Sequence, residues 1–119
     1  MNRRNVKFYR NEQDIAPIQE FLRDLPLQAR QKVSWTLKVV QEMERVPKEY
    51  LKKLHGTEDI WEIRVESFGT AIRLLGFFDE GHLIILTNGF SKKSQKTPQK
   101  EIRLAEERKQ DYIKRRNKT

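Results

Sequence analysis

Residues 60–90 read IWEIRVESFGTAIRLLGFFDEGHLIILTNGF, and this stretch decides the fold. Residues 60–66 alternate Trp61, Ile63 and Val65 with Glu62, Arg64 and Glu66, the period of two that marks a strand buried on one face. Residues 70–78 (TAIRLLGFF) are almost continuously apolar, the pattern of a central strand. Residues 83–90 (LIILTNGF) follow a turn made of Asp79, Glu80 and Gly81. The stretch therefore predicts a three-stranded antiparallel meander.

The turn inside this meander fixes which side chains share a face, because a one-residue slip moves every side chain of a strand to the other face. If Phe68-Gly69 is a two-residue loop, Ser67 pairs with Thr70 and Arg64 lies opposite Arg73. A three-residue loop puts the two arginines on opposite faces. Like charges directly opposed are destabilising by up to about 1 kcal/mol, so an opposed arginine pair points to an anion between them. The competing reading is that Glu62 and Glu66, on the same face as Arg64, pair with the arginines across the sheet. Arg73 lies within an apolar run, where a cation is costly unless it is paired or functional.

Outward from the meander, residues 5–10 (NVKFYR) alternate well enough for an edge strand. Ile15, Ile18, Leu22 and Leu25 recur at helical spacing behind Asp14 as N-cap, with Pro26 as the stop. Residues 27–45 continue as a longer helix with Val33, Leu37, Val40 and Glu44 on one stripe, closed by Pro47. So short a connection predicts an antiparallel helical hairpin over one sheet face. Thr97-Pro98 reads as an N-cap followed by an N1 proline, opening a C-terminal helix with Ile102, Ala105 and Tyr112 on one side. The architecture expected is α+β: strand, helical hairpin, three-stranded antiparallel meander, C-terminal helix. One domain spans residues 1–119, with a basic tail from about residue 114.

Composition narrows the chemistry. A net charge of +8 on 119 residues favours phosphate-bearing or acidic partners. The excess is localised: Arg3, Arg4, Lys7 and Arg10 lie near one terminus and Lys114, Arg115, Arg116 and Lys118 near the other. Between them, Lys92, Lys93, Lys96 and Lys100 stand in a stretch from Gly81 onward without an acidic residue. The loop at residues 91–98 (SKKSQKTP) leads into a helix start, where backbone N–H groups also favour anions. No cysteine is present for thiolate chemistry, and no paired-carboxylate, Ser-His-Asp or metal-ligand spacing appears, so neither metal nor cofactor is expected. No apolar run is long enough for a membrane span, and a cytoplasmic protein is expected.

Metal-free RNA cleavage drives a 2′-hydroxyl into its adjacent phosphate, and needs a proton acceptor, a charge stabiliser and a proton donor. Arg64 and Arg73 suit the charge role through their planar forks. Lys92, Lys93 and Lys96, crowded by other cations, are candidates for proton transfer. His55, in the loop before residue 60, Phe90 at a strand end, and Lys100 are candidate RNA contacts.

Leu54, Ile60-Trp61-Glu62-Ile63-Arg64, Arg73-Leu74-Leu75, Asn88-Gly89-Phe90-Ser91-Lys92-Lys93, Gln95-Lys96-Thr97-Pro98 and the helix positions Glu101, Ile102, Ala105, Arg108 and Asp111 form a recognisable set. Together they resemble the RelE/HigB toxin superfamily, in particular its phage-derived HigB-like branch. The resemblance implies the RelE-like order of elements given above. It also implies a type II toxin that acts as a ribosome-dependent mRNA endonuclease, inhibits translation and is silenced by a cognate helix-turn-helix antitoxin. Matched by position, the family's basic strand residues fall on Arg64 and Arg73, and its later basic residues on Lys92 and Lys93, with Lys96 nearby. Glu62 stands where RelE relatives carry lysine, and the family's late tyrosine has no counterpart around Thr97. A non-catalytic RNA- or ribosome-binding module is the alternative that these departures suggest.

Overall fold

The computed structural model describes residues 3–92 and 96–118. Five strands form one mixed sheet in the order β1-β5-β4-β3-β2. They are β1 (Asn5–Phe8), β2 (Leu51–Lys53), β3 (Trp61–Ser67), β4 (Thr70–Asp79) and β5 (Leu83–Lys92). β1 runs parallel to β5 at the sheet edge, and the other neighbours are antiparallel. The helices are α1 (Pro17–Arg23), α2 (Leu27–Glu42) and α3 (Gln99–Arg116).

The meander has four antiparallel strands where three were expected. Leu51 is buried while Lys52 and Lys53 are exposed, and three residues are too few to show a period. Backbone bonds from Arg64 N–H to the Tyr50 carbonyl and from Leu54 N–H to the Ile60 carbonyl secure this short strand against β3. The β3–β4 turn is the two-residue loop expected. Phe68 and Gly69 sit at φ 48° and 80°, the positive pair whose twist matches that of the flanking strands.

Two helix caps differ from expectation. Asp14 lies in a left-handed turn at φ 63°, and the N-cap of α1 is Ala16, with Pro17 supplying the fixed φ of the first turn. Asn11 does the local capping, its side-chain oxygen accepting from the N–H groups of Gln13 and Ile15. Thr97 does not cap α3 either. Pro98 holds that position without a side-chain bond, and the Thr97 hydroxyl is committed elsewhere. α2 ends at Glu42, so Glu44 falls outside the helix.

Each sheet face has its own core. On one face α1 and α2 bring Ile18, Ala29, Val33 and Val40 onto Ile63, Val65, Ile72, Leu74, Ile84 and Leu86. On the other, α3 sets Ile102 and Ala105 against Ile60 and Leu75, and Tyr112 against Phe77. A bulge in β5 separates these packing sets: Leu75 pairs with Asn88 but Gly76 pairs with Leu86, leaving Thr87 as the extra residue. Gly76 is required at that point, since a Cβ there would lie 2.3 Å from the Ile85 carbonyl oxygen.

Candidate functional site

The hairpin places Arg64 directly opposite Arg73, on the α3 face of the sheet, as the two-residue loop demands. Glu62 and Glu66 of β3 share that face. The Thr87 bulge brings a third cation to it. Strand alternation carried unbroken from Leu86 through Thr87 would turn Lys92 toward α1 and α2; with Thr87 bulged out of the pairing, Asn88, Phe90 and Lys92 follow Leu75, Arg73 and Ala71 onto the α3 face.

Glu62 is the hub of this cluster. Its carboxylate lies 3.6 Å from Arg64 Nε and 3.8 Å from Arg73 Nε, and its other oxygen accepts a short hydrogen bond from the Thr97 hydroxyl. Arg73 also reaches Glu66 Oε1 at 2.9 Å and donates to the carbonyl of Ile72. At 2% exposure Arg73 is among the most enclosed side chains of the protein, whereas the Arg64 side chain keeps 24% of its surface in solvent. Both Nε–H groups are buried without a hydrogen-bond acceptor, a costly arrangement that leaves two donors aimed into the cluster. The competing reading of the arginines therefore describes the geometry: Glu62 and Glu66 do pair with them.

Lys92 is buried beside this network, and its pKa is lowered. Burial is the largest cause; the charges of Arg73 and Arg64 push in the same direction, while Glu62 and Glu66 oppose them. A lysine in this position gives up its proton more readily than a solvated one, beside two guanidiniums that stay charged.

The other sequence candidates are dispersed. Lys96 and Lys100 are exposed around the start of α3, and Lys93 lies outside the described residues. Phe90 packs against the core formed by Ile60, Leu75, Ile102 and Ala105. His55 is exposed in the β2–β3 turn, which is tied to the middle of α3 where Lys109 donates to the Glu58 carbonyl and Glu106 accepts from the Glu58 N–H. That turn lies beyond the Trp61 end of β3, three residues from Arg64, or roughly 10 Å of strand. Two site residues escaped the sequence reading in their actual roles. Glu62 as the shared counter-ion was foreshadowed by its parity with Arg64, but nothing in the sequence signals that Thr97, thirty-five residues away, bonds to it.

A separate polar network fixes α3 to the far part of the same face. Tyr9 donates to Asp111 at 2.6 Å, and Tyr112 donates to Asp79 at 2.8 Å. Arg115 pairs with Asp111 and Arg116 with Asp79. Arg108 donates to the carbonyl of Thr87 at 2.8 Å, tying the helix to the bulge itself. The Tyr9 hydroxyl and Arg115 hold the Asp111 carboxyl below its usual range. Burial pushes Asp79 upward, but its bonds from Arg116 and Tyr112 prevail and lower it.

Among the described residues no helix is long and apolar enough to cross a membrane, and no three acidic or histidine side chains gather to hold a metal ion. Residues 20–110 match the family described as phage-derived protein Gp49-like (DUF891), a span that includes every residue of the Glu62 cluster. No curated protein matches the chain.

Proposed function

The chain belongs to the phage-derived Gp49-like family, part of the RelE/HigB-type toxin-like group associated with toxin–antitoxin systems, and from that premise we propose that it is a HigB-like toxin cutting mRNA on the ribosome. Its partners in this reading are the translating ribosome with its mRNA and a cognate helix-turn-helix antitoxin, and residues 1–119 act as one unit in the cytoplasm. The observation that carries the proposal is a buried lysine of lowered pKa beside two opposed arginines: Lys92 with Arg64 and Arg73.

In the proposed reaction the 2′-oxygen forms a new bond to the adjacent phosphorus as the bond to the 5′-oxygen breaks. Neutral Lys92 accepts the 2′-hydroxyl proton, and a protonated lysine, Lys93 or Lys96, delivers one to the leaving oxygen. Arg64, the more accessible guanidinium, meets the phosphate; Arg73 stands behind it, held by Glu62 and Glu66, and adds its charge through the cluster. His55 and Lys100 contact RNA outside this centre. Phe90, packed in the core, supports the strand that carries Lys92.

The test is to induce the chain in bacteria and map mRNA 5′ ends. New ends within translated codons are expected, and Lys92→Met, which keeps the length of the stem, should lower cleavage by about 100-fold, the lower range for a lost acid–base group. Growth arrest without new ends would replace cleavage by the second reading, a binder that blocks the ribosome. That reading has its own observation: the Glu62 carboxylate already occupies the space between the arginines where a phosphate would sit.

A further inference from the structure

The β3–β4 turn carries a side chain that the turn itself disfavours. Phe68 holds φ 48°, a left-handed conformation that Gly or Asn adopts at less cost, and its ring is exposed over most of its surface. A phenyl ring there serves neither the turn nor the core, and a residue kept against both rules points to a role in binding.

Helix α2 faces this ring with a set of its own. Gln28, Gln31, Lys32 and Trp35 stand at i, i+3, i+4 and i+7 and form one exposed side of the helix. Together with Phe68 and Glu66 they line an open cleft of about 540 Å³. Trp35 is half exposed. Its ring meets Tyr50 edge-on at 5.8 Å between centroids, and Lys32 Nζ lies 5.1 Å from its centre.

The cleft continues toward the cationic cluster. Strand β2 covers β3 as far as Ile63, and Arg64 donates its N–H to the Tyr50 carbonyl; past that point the outer side of β3 has no strand beside it. Around this open edge lies a second cavity of about 290 Å³, lined by Lys32 and Thr36 of α2, by Tyr50, and by Arg64 and Glu66 of β3. The two cavities share Lys32 and Glu66, so the space beside Phe68 leads to the guanidinium that meets the phosphate in the reaction above.

We infer that this cleft binds an unpaired nucleobase of the RNA held at Arg64, with Phe68 and Trp35 as its stacking surfaces. The inference rests on the RNA reading above and adds a base site to it. Exposed rings accept the flat face of a base. The amides of Gln28 and Gln31 donate to and accept from its edge, and Lys32 and Arg64 offer cations to the neighbouring phosphates. Of the carboxylates present, Glu66 is bound to Arg73, and Glu49 lines only the second cavity. A polypeptide segment suits the cleft less, because no aliphatic side chain lines the space between the rings, where an apolar anchor would have to be buried.

The test measures affinity for a short single-stranded RNA by fluorescence anisotropy. The comparison strand has the same length and is abasic throughout, which keeps the phosphates and removes the bases. The wild-type chain is set against Phe68→Asn, whose new side chain suits the turn, and Trp35→Leu, which keeps apolar bulk on an exposed helix face. Each variant should bind the RNA about tenfold more weakly, within the range for a lost base–aromatic stack, while Phe68→Asn melts no lower than the wild type. The abasic strand should bind weakly and alike in all three chains. RNA should also quench tryptophan emission of the wild type but not of Trp35→Leu, where the remaining tryptophan, Trp61, packs edge-on against Phe78. Unchanged RNA affinity in either variant, abasic binding as tight as RNA, or no RNA binding by the wild-type chain overturns the inference. Weaker ribosome binding with RNA affinity intact gives the rings to another partner and overturns it too. Mapping of mRNA 5′ ends separates this inference from the reading beneath it. A chain that binds RNA through the rings but makes no new ends loses the cleavage reading and keeps the base site. Variants that bind RNA undiminished and cut as the wild type does lose the base site and leave cleavage standing.

Discussion

Replacing Glu62 by glutamine tests whether the cationic cluster is held together by one carboxylate. The substituted amide keeps the size of the side chain and an acceptor for the Thr97 hydroxyl, so charge is the main change. Removing one member of a buried ion pair costs about 3–5 kcal/mol, because the other charge stays behind without compensation. Glu62 is 3% and Arg73 2% exposed, which places them in that regime. The lower end applies, because Glu66 still holds Arg73 at 2.9 Å and Arg64 can turn partly to solvent. A loss of about 3 kcal/mol in a domain of this size lowers the melting temperature by about 10 °C. Differential scanning calorimetry measures it, in low-salt buffer and again with inorganic phosphate. Phosphate should restore part of the loss in the variant and do less for the wild type, since guanidiniums no longer neutralised by the Glu62 charge attract an anion to the accessible side of Arg64. A double-mutant cycle with Arg73→Met should show clear coupling. If Glu62→Gln melts within about 2 °C of the wild type, well under the shift expected, or the cycle is additive, the hub role assigned to Glu62 is wrong.

Other consequences can be measured as directly. Phe68 sits at φ 48° with 84% of its surface exposed, so Phe68→Asn should stabilise the hairpin by about 1 kcal/mol, read as a higher urea midpoint. Gly76→Ala forces a Cβ against the Ile85 backbone, where no rotamer change can relieve it, and should cost about 1–3 kcal/mol by the same measurement. Asp79 and Asp111 have lowered pKa values in the fold, so their contribution is complete above the unfolded value of about 4 and disappears as pH falls through the folded values. Amides of α3 should accordingly exchange faster below about pH 4, before the strands do; uniform acid loosening of helix and sheet would contradict this.

The sheet was legible where side chains repeat with period two. Residues 60–66 show clean alternation, and the Phe68-Gly69 turn allowed only one register that opposes Arg64 and Arg73. The first two helices were equally readable from their apolar stripes, and both lie on the same sheet face. Leu51–Lys53 was not, because its strand character comes from pairing with β3 and not from its own pattern. Asp14 and Thr97 were misplaced for a common reason: capping types are also hydrogen-bonding types, and local sequence does not say which partner a fold will offer. The cationic site was half visible. Its arginines could be placed by register, but their enclosure by Glu62, Glu66 and Thr97 depends on the approach of the segment before α3, which no local rule supplies. The meeting of the two basic termini is likewise a product of topology, since β1 joins β5 across most of the chain length.

Thr87 carries a consequence for how chains of this kind can change length. A deletion at Thr87 itself would close the bulge, leave Leu86 and Asn88 alternating as ordinary neighbours, and keep Lys92 on its present face. What would be lost is a fastening, because the Thr87 hydroxyl donates to Asn88 Oδ1 at 2.6 Å and its carbonyl receives Arg108. A deletion anywhere from Asn88 to Ser91, with the bulge kept, would instead turn Lys92 toward α1 and α2 and erase the site without altering any letter that forms it. Length variation along this strand is therefore permitted at one position and penalised at its neighbours, so a gap in an alignment of such chains has a physically preferred place.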